Sequence, residues 1–254
     1  MDTVVRIDGL IKKYDNKAVV DGLTLDIQEG EIFGLLGPNG AGKSTTMNMI
    51  CSLLKPNAGK IELFGYDIKK DSRKVKPLIG YVPQDLAIYG NLKAWENVEL
   101  FTALYGIKGE ALKDEIDRAL EFTGLSDKKN AFAKTFSGGM KRRLNIACAL
   151  GHHPKLLIFD EPTVGIDPQS RNFILERIKD INKEGSTVIY TSHYMEEVEA
   201  LCSRVAIMDN GKVIAVGTPD ELKDLVRRDS SEDISLEQVF LTLTGKKLRD
   251  YTEG

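Results

Sequence analysis

The chain has 254 residues, of which 42% are hydrophobic and 29% charged, a composition typical of a folded protein with a sizeable core. Its net charge of −3 gives no overall basic field, so nucleic acid is not expected as a partner. No apolar run reaches the roughly 18 residues of a membrane span, and the first residues lack the basic start and apolar stretch of a signal peptide. We therefore expect a cytoplasmic protein, with any membrane role supplied by a partner. Cys51, Cys148 and Cys202 lie in apolar helical patterns and are predicted to be buried, reduced thiols.

Two strands are predicted at the start of the chain. Residues 3–10 and 18–27 alternate apolar and polar side chains, which is typical of half-buried antiparallel strands. Tyr14 lies in the polar turn between them. Its position leaves open whether the ring is simply exposed or stacks on the planar ring of a ligand.

A glycine-rich loop follows the apolar run 32–36 and precedes a helix predicted over 44–54. The loop reads Gly37-Pro38-Asn39-Gly40-Ala41-Gly42-Lys43-Ser44-Thr45. This is the P-loop pattern, in which glycines allow positive φ and bring backbone N–H groups close to an anion. Lys43 is expected at the β- and γ-phosphates of a nucleoside triphosphate and Ser44 at Mg²⁺. The alternative is a glycine-rich turn that binds no ligand.

The middle of the chain changes from strands to helices. Strands are predicted at 60–64 and 78–82, and the second ends near Gln84, which by itself is an ordinary exposed amide. From about residue 93 to 151 the apolar residues repeat only at helical spacing, among them Trp95, Val98, Phe101 and Leu104. This stretch predicts a small helical subdomain inserted into an α/β core.

The last helix of this stretch opens with Ser137-Gly138-Gly139-Met140. Serine at a helix start is ordinarily an N-cap. The adjacent glycine pair costs helix stability, which indicates close approach of the backbone to another group. The basic residues that follow, Lys141, Arg142 and Arg143, are predicted to form a solvated face.

Residues 155–159 form a continuous apolar run that leads into Asp160 and Glu161. Such a run predicts a central parallel strand covered on both faces, and ligand-facing residues lie at the carboxyl ends of these strands. Asp160 is therefore expected to hold Mg²⁺, and Glu161 to polarise an attacking water. The alternative is an exposed acidic turn. Asp167 is predicted to cap a helix that runs through Ile181.

The last third of the chain contains further predicted strands and helices. A strand at 186–191 ends beside His193, which is either a core histidine or a residue that senses phosphate at the same sheet edge. Strands at 204–209 and 212–216 are joined by an Asn-Gly pair, the signal of a type I′ hairpin. A capping box at Thr218 starts another helix. Beyond a polar linker at 228–233, Ser235 and Gln238 are predicted to cap a tail helix that docks on the core through one apolar side.

Together these segments resemble the ATP-binding subunit of an ABC transporter over about residues 3–227. The elements that carry the resemblance, in chain order, are the P-loop at 37–45, Gln84, the signature segment Phe136-Ser137-Gly138-Gly139-Met140, the strand ending in Asp160-Glu161, the segment Val164-Gly165-Ile166-Asp167, and His193. GTPases and small-molecule kinases share the P-loop and lack the rest.

The resemblance implies that two such subunits close head to tail on two ATP molecules. Ser137, Gly138, Gly139 and Met140 of one subunit would meet the γ-phosphate on the P-loop of the other, with Asp167 at the dimer seam. It further implies that Tyr14 stacks on the base and that His193 holds the γ-phosphate. Glu161 would be the general base. Gln84 would contact Mg²⁺ or the attacking water and sense the membrane partner.

Two residues depart from the family pattern. Met140 stands where glutamine is usual and Phe136 where leucine is usual, but the backbone donors remain, so binding in trans is expected to survive.

The run Met140-Lys141-Arg142-Arg143 and the tail 236–245 are similar to subunits that serve ABC-2 type exporters, including drug, antibiotic-resistance and sodium-efflux systems.

The expected fold is α/β, a P-loop NTPase core with a mostly parallel sheet, an N-terminal antiparallel β subdomain and an inserted helical subdomain. The ATP-binding domain spans 1–227, with its core at 1–84 and 155–227 and the helical subdomain at 85–154; residues 228–254 form the linker and tail helix. The expected function is hydrolysis of MgATP coupled to export by a separate permease on the inner face of the cell membrane, with a dimer formed either by two copies or with another ATP-binding subunit. Two alternatives stay open, a soluble ATP-driven dimerisation switch and a phosphoryl transferase.

Overall fold

The computed structural model describes residues 2–227 and 234–245. The strands, in chain order, are β1 (Thr3–Tyr14), β2 (Lys17–Gln28), β3 (Ile32–Leu36), β4 (Ala58–Leu63), β5 (Tyr66–Asp67), β6 (Ile79–Val82), β7 (Leu156–Asp160), β8 (Thr187–Ser192), β9 (Arg204–Asp209) and β10 (Lys212–Gly217). The α-helices are α1 (Lys43–Ile50), α2 (Ser72–Val75), α3 (Ala94–Ala103), α4 (Gly109–Phe122), α5 (Gly138–Leu150), α6 (Pro168–Lys183), α7 (Met195–Leu201), α8 (Pro219–Asp224) and α9 (Leu236–Thr244).

The elements fall into two units. Unit 1 comprises residues 1–76 and 187–254, and unit 2 comprises residues 77–186. Unit 2 thus contains the predicted helical stretch 85–154 together with β6, β7 and α6. The functional division proposed from sequence, with a core at 1–84 and 155–227 and a tail at 228–254, stays a prediction.

The antiparallel sheet of unit 1 confirms the prediction of two half-buried strands. Its order is β2-β1-β4-β5, and β1 pairs with β2 in antiparallel register. Alternation in the sequence places one set of side chains in the core: Val5, Ile7, Leu10, Val20, Leu23, Leu25 and Ile27. Both strands extend beyond the predicted bounds, so that only Asp15 and Asn16 remain for the turn, each with positive φ.

The second sheet of unit 1 has the order β10-β9-β3-β8, with β3 parallel to both of its neighbours. Strand β3 is buried along its whole length, as expected for a central parallel strand. Strands β9 and β10 form the predicted hairpin, and Asn210 and Gly211 have φ of 49° and 78°, the signs that a type I′ turn requires. The unit therefore combines an antiparallel β subdomain with a mostly parallel sheet.

The helix after the glycine-rich loop is shorter than predicted. The prediction extended it to residue 54, but α1 ends at Ile50. The cause is Ser52, which has a φ of 56°, a left-handed conformation that ends a right-handed helix. The amides of Leu53 and Leu54 then both donate to the Asn48 carbonyl at 2.9 and 3.0 Å.

The tail helix docks on unit 1 as predicted. Ser235 and Gln238 form the capping box of α9, and Leu236, Val239 and Phe240 are buried against α7 and α8. The predicted linker 228–233 lies outside the described residues.

Unit 2 contains a parallel pair, β6 and β7, and a helical core. Helices α3, α4 and α5 contact one another and enclose a cluster of buried side chains. Its members are Ala94, Val98, Ile116, Ala119, Leu120, Leu125, Ala133, Phe136, Leu144, Ala147 and Cys148. The predicted apolar stripe is wrong at Leu104, which is 74% exposed because it forms the C-cap where α3 ends.

All three cysteines are buried, as predicted, and none of them forms a disulfide. Within residues 2–227 and 234–245, no helix has both the length and the apolar character needed to cross a membrane.

Asn97 ties the loop before α3 to the helix. It is fully buried, and its Oδ1 accepts from the Tyr89 amide at 2.7 Å. Its Nδ2 donates to the carbonyls of Tyr89, Leu92 and Lys93 at 3.1, 3.4 and 3.0 Å. One buried amide side chain thus joins several backbone groups of the loop to the first turn of the helix.

Asn97→Ala is therefore expected to lower the free energy of unfolding by about 1–3 kcal/mol, because it removes all the hydrogen bonds that this fully buried side chain makes with the loop. Urea denaturation of the variant and the wild type measures the change. The control is Asn130→Ala at an exposed position, where a shift within about 0.5 kcal/mol is expected. Equal midpoints for the two variants would contradict the role given to Asn97.

Candidate functional site

The glycine-rich loop of unit 1 joins the carboxyl end of β3 to α1. Gly40 and Gly42 have φ of 81° and 103°, as the sequence predicted. Gly37 is required for a different reason, since a Cβ there would lie 2.4 Å from the Met208 carbonyl oxygen. A Cβ on Gly42 would also lie 2.7 Å from the Val19 carbonyl oxygen. The shape of the loop therefore depends on glycine at each of these positions.

Lys43 lies inside this loop. Its side chain is only 5% exposed, and Nζ donates to the carbonyls of Gly37 at 2.7 Å and Pro38 at 3.3 Å. The loop thus folds around a buried ammonium group at the N-terminal end of α1, where the helix dipole adds positive potential. This arrangement favours an anion with several negative oxygens.

The β9–β10 turn supports the loop, a role that the sequence did not reveal. The Gly211 amide donates to the Ala41 carbonyl at 3.0 Å, and the Asp21 amide donates to the Gly211 carbonyl at 2.9 Å. A Cβ on Gly211 would lie 2.5 Å from the Val19 carbonyl oxygen. The Asn-Gly signal predicted the turn, but its contact with the loop depends on residues about 170 positions away in the sequence.

His193 lies at the same sheet edge as the loop. Strands β3 and β8 are parallel, and Leu36 pairs with Ser192, so Gly37 and His193 each follow a paired residue. The His193 ring is half-buried and lies 4.2 Å from the Tyr194 ring, measured between centroids. The structure thus agrees with the sequence in placing this histidine at the edge where the loop begins.

Tyr14 is the last residue of β1 and its ring is exposed. The Lys12 Nζ lies 5.1 Å from the ring centroid. An exposed ring on a strand end is available for stacking against a planar ligand.

In unit 2, β7 carries two buried carboxylates at its carboxyl end. Asp160 is 2% exposed and Glu161 is 4% exposed, which excludes an exposed acidic turn. The Tyr81 hydroxyl donates to Asp160 Oδ2 at 3.5 Å, a partner that the sequence did not indicate. Glu161 has a φ of 48°, a conformation that costs a non-glycine residue roughly 1–3 kcal/mol and is concentrated at functional sites.

Gln84 contacts Glu161 directly. Its Nε2 donates to Glu161 Oε2 at 3.3 Å, so two residues that the sequence singled out separately meet in unit 2. The family resemblance implied a contact of Gln84 with Mg²⁺ or water; the structure adds a contact with the predicted general base. The pair offers a carboxylate and an amide oxygen to a water molecule or a hard cation.

The signature segment forms the N-terminus of α5. Ser137 is the N-cap and accepts from the Met140 amide at 3.2 Å, as predicted. The two glycines differ: Gly138 is exposed with open space around its missing Cβ, whereas a Cβ on Gly139 would lie 2.1 Å from Ser170 Oγ. Gly139 is therefore required by packing against α6, and Gly138 leaves the helix N-terminus accessible.

Asp167 caps α6, as the sequence predicted. Its Oδ1 accepts from the Ser170 amide at 2.9 Å, and this hydrogen bond is the main reason that the pKa of the carboxyl lies below its ordinary value. The first turn of α6 is thus held in the position against which Gly139 packs.

The predicted solvated face after the signature segment is wrong for Arg142. Arg142 is 6% exposed, and its Nη1 donates to the Pro83 carbonyl at 3.0 Å. Arg143 donates to the carbonyls of Thr123 and Gly124 at 3.1 and 3.0 Å. The charge of this run indicated solvent exposure, but both guanidinium groups donate hydrogen bonds to backbone carbonyls of the same unit.

The site residues suit Mg²⁺ that arrives with a phosphate ligand. Within the described part of the chain, no group of three or more His, Cys, Asp or Glu side chains is placed to hold a metal. Mg²⁺ does not require such a cage, since it commonly takes one or two protein oxygens and completes its shell with water and phosphate. The hydroxyl of Ser44 in unit 1 and the carboxylate of Asp160 in unit 2 are each oxygen donors of this kind.

Comparison with known proteins agrees with this geometry. The family model described as ABC transporter matches residues 20–164, more than half of the chain. The linearmycin resistance ATP-binding protein LnrL of Bacillus subtilis is 51% identical over 219 residues, which cover 86% of this chain and 70% of that protein. The probable multidrug ABC transporter ATP-binding protein YbhF of Escherichia coli is 40% identical over 242 residues, which cover 95% of this chain but only 42% of that protein.

Solved structures of ATP-binding subunits share the fold of this chain. The ATP-binding subunit of an ABC transporter superposes with a TM-score of 0.85 at 29% identity, covering 95% of this chain and 100% of the other. A dimeric ATP-binding cassette in a post-hydrolysis state, bound to ADP and Pi, superposes with a TM-score of 0.78 at 27% identity, covering 84% of this chain and 98% of the other. The chain belongs to the ABC transporter family.

Proposed function

We propose that this chain is the ATP-hydrolysing subunit of an ABC transporter, which binds MgATP between two ATP-binding subunits and drives export through a separate permease. The observation that carries the proposal is Glu161, a carboxylate that is buried, held on a left-handed backbone and hydrogen-bonded by Gln84. A protein that only bound ATP would not need a general base next to Asp160.

ATP binding is assigned to unit 1. The backbone N–H groups of residues 37–45 and the Lys43 ammonium neutralise the triphosphate, and Tyr14 stacks on the adenine. His193 donates to the γ-phosphate from the end of β8. The support is the buried position of Lys43 inside its loop and the pairing of Leu36 with Ser192, the residues that precede Gly37 and His193.

The chemical step is assigned to the carboxylates after β7. Glu161 accepts a proton from water as the water oxygen attacks the γ-phosphorus and the bond to the ADP oxygen breaks, giving ADP and phosphate. Gln84 orients that water and Glu161 through its amide. Ser44, Asp160 and Gln84 are the residues that would hold Mg²⁺ through oxygen atoms, and the ion would supply positive charge against the negative charge on the phosphate oxygens.

A second subunit completes the site. The exposed N-terminus of α5, with Ser137, Gly138, Gly139 and Met140, meets the γ-phosphate on the P-loop of the partner subunit, which is another copy or a different ATP-binding chain. The open space around Gly138 supports this assignment, as does the dimeric state of the structural neighbour bound to ADP and Pi. Backbone donors carry the contact, so Met140 in place of glutamine is tolerated.

Transport requires a membrane partner. The names of LnrL and YbhF refer to linearmycin resistance and multidrug transport, which supports export as the direction. The helical part of unit 2 presents exposed apolar side chains, including Tyr89, Leu100 and Leu104, which suit a permease surface. The subunit then lies at the inner face of the membrane.

Glu161→Gln is expected to lower ATP turnover by about 10²–10⁴-fold, because an amide cannot accept the proton of the attacking water. The substitution keeps the side-chain shape and an oxygen that accepts from Gln84, so nucleotide affinity is expected to persist. Phosphate release and equilibrium binding of a labelled ATP measure the two effects. Glu176→Gln on the exposed face of α6 is the matched control. Near-normal hydrolysis by the Glu161 variant would remove the general base from the proposal.

Gly138→Arg is expected to fold normally, because space is open around the missing Cβ, and to lose turnover by about 10²–10³-fold as the helix N-terminus becomes blocked. Wild-type specific activity is expected to rise with protein concentration, since each site needs two subunits. Asn172→Arg, an equal charge on exposed α6, is the control. Full activity of Gly138→Arg, or a wild-type rate that does not depend on concentration, would contradict the two-subunit site.

The tagged chain, isolated from detergent-solubilised membranes, is expected to bring a polytopic membrane protein in stoichiometric amount. Leu104→Glu is expected to weaken this co-isolation while basal hydrolysis persists, because a charge enters an apolar contact. Leu225→Glu, at a similarly exposed leucine of unit 1, is the control. If the wild type elutes alone, the soluble dimerisation switch replaces the transporter.

A further inference from the structure

Arg142 is a buried charge that the reaction described above does not use. Its Nη1 donates to the Pro83 carbonyl, and its Nε has no hydrogen-bond partner among the residues that the structure describes. Burial lowers the pKa of the guanidinium, although the nearby Asp85 acts in the opposite direction. Burying a charged group that has one neutral hydrogen-bond acceptor costs free energy, because the charge loses its contact with water. An apolar side chain of similar length would avoid this cost.

Asn145 faces the same loop one turn later in α5. It is buried, its Oδ1 accepts from the Ala87 amide at 3.1 Å, and its Nδ2 reaches the Pro83 carbonyl at 3.5 Å. Residues three apart in a helix lie on one face, so Arg142 and Asn145 act on the same segment. That segment, residues 83–87, is thereby attached to α5 at both of its ends.

Gln84 is the second residue of the attached segment. Its backbone lies between the two attachment points, and its side chain donates to Glu161 Oε2 at 3.3 Å. A continuous series of contacts therefore leads from α5 through residues 83–87 to the carboxylate at the end of β7. The same helix begins with Ser137, Gly138 and Gly139.

We propose that Arg142 and Asn145 are positioning residues, which hold residues 83–87 so that the Gln84 amide meets Glu161. They thus connect the helix that carries the signature segment to the group that activates water. The inference rests on the proposed function, in which Glu161 is the general base. A hydrogen-bond network that orients a catalytic group affects turnover more than substrate binding, because ATP is held by other residues.

A double-mutant cycle on ATP turnover tests the proposal. Arg142→Leu, which keeps buried volume and removes the donor, is expected to lower kcat by about 10- to 100-fold with little change in KM. Gln84→Ala is expected to have a loss of the same order. The variant with both changes is expected to be no slower than the slower single variant, since each change removes the same contact of Gln84 with Glu161.

Three further variants separate this role from general support of the fold. Asn145→Ala is expected to show the same non-additivity with Gln84→Ala, and it provides the cycle if Arg142→Leu does not fold. Arg142→Lys keeps a charged donor and is expected to recover part of the lost kcat. Arg143→Ala removes two hydrogen bonds from the same helix to Thr123 and Gly124 and is expected to keep the wild-type kcat.

Losses that multiply in the variants with both changes would overturn the inference, as would a normal kcat in folded Arg142→Leu or Asn145→Ala. In either case the wild type still hydrolyses ATP, so the proposed function stands. A wild-type chain that shows no hydrolysis at any concentration would overturn both.

Discussion

The buried ammonium of Lys43 is the constraint on which the nucleotide-binding half of the molecule depends. A charge at 5% exposure requires compensation, and the structure supplies it from the carbonyls of Gly37 and Pro38. Those carbonyls turn inward only because the loop is glycine-rich and is supported by the Gly211 turn. A buried ammonium group at the N-terminal end of α1 is a local excess of positive charge, which favours an anionic ligand such as a phosphate.

The carboxylates of unit 2 present the opposite problem. Asp160 and Glu161 are both buried, and Glu161 is also on a left-handed backbone. Burial of a carboxylate and a left-handed backbone at a non-glycine residue each cost free energy. Tyr81 and Gln84 each donate one hydrogen bond, which orients the oxygens without neutralising them. Burial and a left-handed backbone thus meet at Glu161, the residue proposed as the general base.

The sequence predicted those parts of the fold and site that depend on neighbouring residues. The P-loop, the Asn-Gly hairpin and the capping boxes are local patterns, and the structure confirms their conformations. It did not predict where α1 ends, because the left-handed Ser52 has no clear local signal. It also predicted that Arg142 is exposed to solvent, because three basic residues in a row indicate an exposed face. The Pro83 carbonyl that accepts from Arg142 is distant in the sequence, so no local pattern indicated this contact.

The two glycines of the signature segment look alike in the sequence but have different roles in the structure. Both residues suggested close approach of a ligand, but Gly139 is explained within the chain, because Ser170 leaves no room for a Cβ. Gly138 has no such neighbour, so its small size matters only to what approaches the helix N-terminus from outside. The packing of Gly139 fixes the helix against α6, whose first turn is held by the Asp167 cap. A rigid helix presents its open N-terminus in one orientation, and this is the property that binding in trans requires.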